Sequence, residues 1–463
     1  MPPKSSQIDL RQLNPDPPKN NRPIYIRATQ GIWRRVRQFA ATPLVLMFLG
    51  LPWLTWGDRP AIWLNIAEQK FYIFGLIIWP QDLILLAQTF ILGALGLFFI
   101  TTYIGRIWCG YTCPQTIWTL AFVWAEERIE GTRHQRMKLD EQPWGYRKVL
   151  KKITKHSVWL LISLLTSLTF VSYFMPARQL YVDVFSLNVS WMVTGWLILF
   201  MGATYLNAGW IREIFCANIC PYARLQAVMF DKDTITVSYD FNRGEPRGKR
   251  SRRVNPAEEG LGDCIDCGLC VQVCPAGIDI RDGLQYECIN CGCCVDACHQ
   301  TMTKMHYPTG LIRYTSESDL ENQPKPKFRF KLIAYGLIFA LGLIFFTVNV
   351  LSLAPVQFDI IRDRGQLYRE NTEGLIENSY TLKILNKTEL DLVYQISVSG
   401  LEDYQWYGMT SVKVKSGEVL SVPVSIAVDP YDLSQPILPI VFSIESLGEH
   451  SFQTDKESRF FGP

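Results

Sequence analysis

Five stretches of this chain are apolar enough and long enough to cross a bilayer, which takes about 20 residues. They are 39–57, 83–105, 157–175, 191–210 and 332–354. One such run could be the core helix of a soluble protein; five exclude that reading for the chain as a whole. The second and fifth are the clearest, whereas the first contains Pro43 and Pro52. No cleavable leader pattern precedes it: residues 1–38 are polar and basic, so the first run is expected to remain as an anchor.

Lys and Arg in the short loops set the expected orientation. Segment 1–38 carries eight and loop 106–156 carries ten, but loop 58–82 carries two and 176–190 carries one. The N-terminus and residues 211–331, with sixteen Lys and Arg, are therefore expected inside. The tail 355–463, with nine Lys and Arg against sixteen Asp and Glu, is expected outside. All thirteen cysteines lie between Cys109 and Cys298, on the reducing side of this arrangement. Overall charge is only +3, from 46 basic and 43 acidic residues, which argues against a nucleic-acid partner.

The strongest chemical signal is Cys264-x2-Cys267-x2-Cys270-x3-Cys274-Pro275, followed by Cys288-x2-Cys291-x2-Cys294-x3-Cys298. This is the spacing of a two-cluster bacterial ferredoxin, in which three close thiolates hold one 4Fe-4S cubane and the fourth reaches the other. The predicted ligand sets are Cys264, Cys267, Cys270 and Cys298 for one cluster, and Cys288, Cys291, Cys294 and Cys274 for the other. Zinc sites normally use two separated CxxC pairs instead. Gly268 and Gly292 are expected to relieve crowding where backbone approaches the clusters. Cys293 breaks the spacing and is expected not to be a ligand, and His299 stands where a second proline would be. Met302, Met305 and His306 are expected to pack against the second cluster motif, and His134 and His156 to be solvated.

Two hairpins of membrane segments end in similar text. The first gives Arg106-Ile107-Trp108-Cys109-Gly110-Tyr111-Thr112-Cys113-Pro114, and the second Glu213-Ile214-Phe215-Cys216-Ala217-Asn218-Ile219-Cys220-Pro221. Pro114 and Pro221 suit the first position of new helices over 114–130 and 221–230. Cys113 and Cys220 would then be N-caps, where the helix dipole lowers a thiol pKa. If the repeats are symmetric, Cys109, Cys113, Cys216 and Cys220 meet at the inner membrane surface. Soft thiolates there favour Cu(I), zinc or iron–sulfur ligation. Packing or a dormant disulfide is the plainer use of such cysteines.

The domain reading is then a segment 1–38, a membrane domain 39–230, a basic linker 231–262 and a ferredoxin-like domain 263–331. A last span 332–354 and an outer β domain 355–463 complete it. The linker has six Lys and Arg between Arg243 and Arg253, forming a solvated flank or a contact with anionic lipid. Pro324, Pro326 and the basic residues up to Lys331 lead into the last span. In the tail, strands are predicted over 380–385, 392–399, 411–414, 420–427 and 437–444, a spacing that suits a sandwich.

Taken together, the hairpins with CxxxCP, the two-cluster insert, the last span and the outer β domain resemble the CcoG family, also called FixG or RdxA. Trp79-Pro80-Gln81-Asp82, Lys304-Met305-His306-Tyr307-Pro308, Gly310-Leu311-Ile312-Arg313-Tyr314 and Ile376-Glu377-Asn378 add to the resemblance. It implies a multi-pass protein of the bacterial inner membrane with an immunoglobulin-like tail in the periplasm. It further implies reduction of Cu(II) to Cu(I) for assembly of cbb-type cytochrome c oxidase, with Cys109, Cys113, Cys216 and Cys220 as the family's CxxxCP cysteines. The partners expected are a cytoplasmic electron donor, a copper chaperone or exporter, the oxidase assembly factors and, as an open question, a second copy of the chain. Two rival readings are a quinol-linked subunit feeding a periplasmic reductase and a scaffold that does no redox chemistry.

Overall fold

The computed structural model describes residues 24–252, 259–323, 328–363, 365–447 and 452–463. Most of segment 1–38, Arg253 in the linker and Pro324 to Pro326 therefore lie outside the described residues. Two compact units emerge, one of residues 1–66 and 84–346 and the other of 67–83 and 347–463.

In the first unit the long helices are α1 (Ile32–Gly50), α2 (Leu83–Ile104), α3 (Pro114–Ile129), α4 (Tyr146–Val171) and α5 (Trp191–Tyr205). A π-helical turn extends α5 through Leu206–Ile211; α6 (Pro221–Met229), α7 (Cys293–Met305) and α8 (Phe330–Leu351) follow. Among the described residues, four helices are long and apolar enough to cross a membrane: Leu83–Ile104, Tyr146–Val171, Trp191–Ile211 and Phe330–Leu351. The expected first span is not a fifth of this kind. Its helix starts earlier, where Arg34, Arg35 and Arg37 use up the first turns, and it ends at Gly50. Pro52 then opens a single 3-10 turn, Leu51–Trp53, so the run to 57 is not continuous helix.

Side-chain contacts tie these helices together. Gly96 and Gly336 leave room for a stacked pair, Phe99 and Phe339, with centroids 6.4 Å apart between α2 and α8. Ser167 Oγ of α4 donates to the Leu197 carbonyl of α5 at 2.8 Å. His156, expected in solvent, instead stacks on Trp210 and accepts or donates at 2.9 Å with the Tyr205 hydroxyl. The basic loop is organised by α3: Glu126 bridges Arg136 at 2.9 Å and Arg212 at 2.6 Å, and Glu130 meets Lys152 at 2.9 Å and Lys155 at 3.1 Å.

The segment expected as a linker is built into the ferredoxin module. Its strand β1 (Thr236–Tyr239) pairs antiparallel with β2 (Ile312–Thr315). Arg243 bonds Asp263 at 2.6 Å and Arg250 bonds the Gly262 carbonyl at 2.7 Å. These two cations are used inside the module, which removes them from the expected lipid contact.

The second unit is a sandwich of antiparallel sheets. One sheet holds β3 (Val356–Arg362), β4 (Ile376–Asn386), β6 (Gln405–Tyr407) and β8 (Val419–Val428), in the order β6-β8-β4-β3. The other holds β5 (Leu392–Ser399), β7 (Ser411–Val414), β9 (Ile437–Leu447) and β10 (Gln453–Phe461), in the order β7-β5-β9-β10. Residues alternate along β5, so Leu392, Tyr394, Ile396 and Val398 enter the core with Tyr380, Phe442 and Phe460. The segment 67–83 belongs to this unit: Lys387 Nζ meets both carboxylate oxygens of buried Asp82 at 2.9 Å. This gives the Trp79-Pro80-Gln81-Asp82 text a structural role.

Breaking a buried ion pair by removing one partner costs about 3–5 kcal/mol. Glu126→Ala strands Arg136, whose side chain is 2% exposed, and should lower the thermal midpoint of the purified protein clearly. Lys413→Ala, at an exposed pair, should leave it unchanged. Equal midpoints for the two variants would show that the Glu126 bridge carries no stability.

Candidate metal centres

Gly268 and Gly292 stand at the N-caps of Leu269–Gln272 and α7, both left-handed with φ of 65° and 71°. They turn the chain so that the following cysteines point inward. At Gly268 the backbone angle alone requires glycine. At Gly292 a Cβ would also strike Trp33 and the Tyr314 hydroxyl, both at 2.9 Å.

The two predicted quartets come together as the crossed spacing requires. Cys264, Cys267, Cys270 and Cys298 all line one cavity, closed by Met302, Leu311 and Ile312. Burial, followed by the nearness of Cys270, Cys264 and Cys267, pushes the Cys298 thiol up to about 12. In the second quartet, burial and then Cys291, Cys288 and Cys274 push the Cys294 thiol up. The first site presents four sulfur donors in one cavity, and the second gathers four buried or half-buried thiols, sets that fit cubanes held by thiolates. Loading such thiols must displace their protons. Met302 packs with Cys264, Cys270 and Cys298, so it faces the other cluster from the one expected. His306 is the exposed C-cap of α7 and faces neither.

The CxxxCP residues form a third group. Cys113 and Cys220 are the N-caps of α3 and α6, with Pro114 and Pro221 next, as predicted. Cys109 lies in a short helix, Ile107–Tyr111, and Cys216 in a π-helical turn, Phe215–Ile219. Burial pushes the Cys109 thiol up to about 12; Arg106 opposes the shift, while Cys113, Cys216 and Cys220 add to it. Cys216 is likewise pushed up to about 12 by burial, then by Cys113 and Cys220. The four thiols thus lie near enough to repel one another as thiolates. The expectation of a depressed pKa at Cys113 is overturned: burial outweighs the amide N–H groups of Gln115 and Thr116. Among the described residues, no three His, Cys, Asp or Glu side chains gather around a point fit for a single ion.

This third group touches the second quartet. Cys109 packs against a cluster of buried residues that includes Cys291, Cys293 and Ile289. A Cβ on Gly110 would lie 2.7 Å from the Ile289 carbonyl and 3.0 Å from Cys291 Cα, so backbone meets backbone here. Tyr111 and Tyr314 share a 2.8 Å hydroxyl bond, and Tyr314 donates to the Asn290 carbonyl at 2.7 Å. Asn290 itself donates to the Ile104 carbonyl at the end of α2, at 3.0 Å.

Sequence reasoning passed over three residues of this region. Buried Arg106 donates to the Tyr286 carbonyl at 2.6 Å and to the Ala223 carbonyl, and its charge lowers Cys109, Cys216 and Cys288. Gln226, fully buried, accepts from Cys109 Sγ at 3.4 Å. Glu213, which burial pushes up to about 6, senses Arg212, Arg37 and Cys291. The available signal was position: Arg106 and Glu213 both stand three residues before their CxxxCP.

Comparison with known proteins fits this arrangement. A 4Fe-4S dicluster domain matches residues 211–317, a 4Fe-4S binding domain matches 86–119, and the IG-like fold at the C-terminal of FixG matches 346–463. RdxA of Cereibacter sphaeroides is 40% identical over 395 residues, 82% of each chain. The chain belongs to the FixG/RdxA family. FixG of Rhizobium meliloti is 31% identical, over 83% of this chain and 80% of its own. A crystal structure of a FixG-related protein from Vibrio parahaemolyticus is 39% identical, covering 24% of this chain and 97% of that one, with a TM-score of 0.22. The family assignment and the matched domains make this an iron–sulfur electron-transfer protein.

The ligand sets make a direct prediction. Cys267→Ala and Cys291→Ala should each lose one cluster, about half of the eight irons that two cubanes require, while Cys293→Ala keeps both. Iron analysis and the spectrum of the reduced protein read the result. Loss of a cluster from Cys293→Ala would show that the ligand sets are wrong.

Proposed function

We propose that this protein is a membrane-bound cupric reductase that passes electrons through two 4Fe-4S clusters to Cu(II) at the CxxxCP thiols. Each cluster supplies one-electron transfer. The observation that carries the reading is the contact of Cys109 with the loop of Cys291. In that contact Cys109 packs against the buried cluster of residues that includes Cys291 and Ile289, which supports a short path from the second quartet to the proposed copper ligands. The product, Cu(I), suits soft thiolates; two thiolates suffice to hold it, so no ready-made single-ion site is needed. From there Cu(I) would pass to a chaperone or exporter for assembly of a cbb-type oxidase. A cytoplasmic donor would refill the clusters.

The proposed setting is the bacterial inner membrane, with the N-terminus and clusters inside and the tail in the periplasm. The reading keeps α1 as a fifth crossing. Its first turn rests on the ferredoxin helix α7, where Asp296 accepts from the Trp33 and Arg34 amides at 3.2 and 2.8 Å. Its last turn accepts from the Tyr173 hydroxyl, just beyond α4, at 2.9 Å through the Phe48 carbonyl. Reporter fusions after Arg59, Arg178 and Pro463, using an enzyme active only outside the cytoplasm, should all be active. An inactive fusion at Pro463 would sink the five-crossing arrangement.

Copper binding should depend on pH. Cys109 and Cys216, held up at about 12, are protonated near neutrality and must release their protons to the metal. Each thiol so used makes the apparent affinity rise about tenfold per pH unit below its pKa. Cu(I) titration against a competing chelator at pH 6, 7 and 8 should show that rise, and replacing all four cysteines by Ala should abolish both binding and Cu(II) turnover. Turnover that persists in that variant would reject these thiols.

A second reading is favoured by the match of a 4Fe-4S binding domain to residues 86–119, which contain Cys109 and Cys113. Completed by Cys216 and Cys220, that quartet would hold a third cubane. Anaerobic protein would then carry about twelve irons instead of about eight, and loss of four in the four-fold Ala variant would establish it.

A further inference from the structure

Cys293 belongs to neither quartet, yet it is buried in one cluster of residues with Cys291 and Cys294. It receives a hydrogen bond from Arg37 Nη1 at 3.2 Å. Arg37 comes from α1 and is only 4% exposed, and its Nε has no partner among the described residues. An uncompensated buried guanidinium is costly, and no ion pair offsets this one among the described residues. The nearest acidic group to sense it is Glu213.

The position of Arg37 is fixed with care. Asp296 caps the first turn of α1, and Trp33 lies on Tyr314 with ring centroids 4.2 Å apart. Arg37 follows Arg34 by three residues, about 4.5 Å along the helix. The same cap that docks α1 therefore delivers the guanidinium to Cys293.

Hydrogen bonds and positive charge beside a cluster's sulfurs stabilise its reduced, more negative state and raise its potential. We propose that Arg37, acting through Cys293, raises the reduction potential of the cluster held by Cys274, Cys288, Cys291 and Cys294 above that of its partner. Electrons then collect at the cluster next to Cys109. Arg37 and Cys293 are positioning residues: one electron enters or leaves the cluster, no bond forms or breaks, and no proton moves. The inference rests on the electron-transfer reading above and adds the direction of flow within it.

The test is a potentiometric titration of the full-length protein, purified anaerobically and followed by electron paramagnetic resonance. Cys267→Ala, which keeps only this cluster, assigns the signals. Arg37→Met and Cys293→Ala should each make reduction of this cluster at least tenfold less favourable, a fall of 59 mV for one electron. The double variant should fall no further than the larger single effect, because the two act in series. Cys293→Ser, which can still donate, and Arg37→Lys, which keeps the charge, should recover part of the shift. The partner cluster's midpoint should stay in place, which a general disturbance of the fold would not allow. An unmoved midpoint in variants that keep full iron overturns the proposal, as does loss of a cluster from Cys293→Ala. If Arg37→Met does not assemble, the two Cys293 variants decide the matter, since they leave α1 intact. Failure of the underlying reading is distinct: the unmodified protein would then lack two cubane signals.

Discussion

Gly110 meets the carbonyls of Ile289 and Asn290 and the Cα of Cys291 with no room for a methyl group between. That contact brings the end of one CxxxCP hairpin and the loop of the second quartet into one layer. Around it the polar groups are few and each is paired: Asn290 bonds Ile104 and Val237, Tyr314 bonds Asn290, and Tyr111 bonds Tyr314. A buried seam of this kind tolerates little error, because every unpaired group in it would carry a desolvation cost. The fold around the seam serves to hold two backbones in touch. The helices of the hairpins supply rigid ends, and β1 and β2 close the ferredoxin module against them.

Much of the architecture was legible because it rests on local spacing. The x2-x2-x3 cysteine runs anticipate that Cys298 shares a cavity with Cys264, Cys267 and Cys270, because in a two-cluster ferredoxin the fourth thiolate of a run reaches the other site. Strands β5 and β7 fall on the predicted residues because Leu392 to Val398 and Val412 to Val414 alternate between core and surface. Strand β10 escaped notice for the opposite reason. It reads Gln453-Thr454-Asp455-Lys456-Glu457-Ser458, polar on both faces as an edge strand tends to be, and only its pairing with β9 makes it a strand. The first membrane run and its helix differ in their bounds because hydropathy measures the apolar stretch, while the start of the helix is set by where its cap lies. Asp296 is 263 residues away from Trp33, and no window along the chain can see it.

Charge was harder to read than shape. Counting Lys and Arg in loop 106–156 treats each as a free cation, yet Arg136, Lys152 and Lys155 are committed to Glu126 and Glu130. The loop remains basic on balance, so the expected orientation does not depend on those pairs. The thiols show the same difficulty. A helix N-terminus argues for a low pKa at Cys113, but the dipole acts through a few partial charges whereas burial removes the whole hydration of a thiolate. Only the packed structure decides between them, and it decides for burial.

The two CxxxCP repeats are opposite in charge. Three residues before each motif stands Arg106 in one repeat and Glu213 in the other, and both act on Cys216. Arg106 also acts on Cys109 and on Cys288 of the second quartet. One buried cation thus faces the proposed copper ligands on one side and a cluster ligand on the other. Negative charge that arises at Cys109, Cys216 or Cys288 is met by the same guanidinium. Negative charges placed on the two sides also repel each other, so thiolate formation and cluster reduction oppose one another.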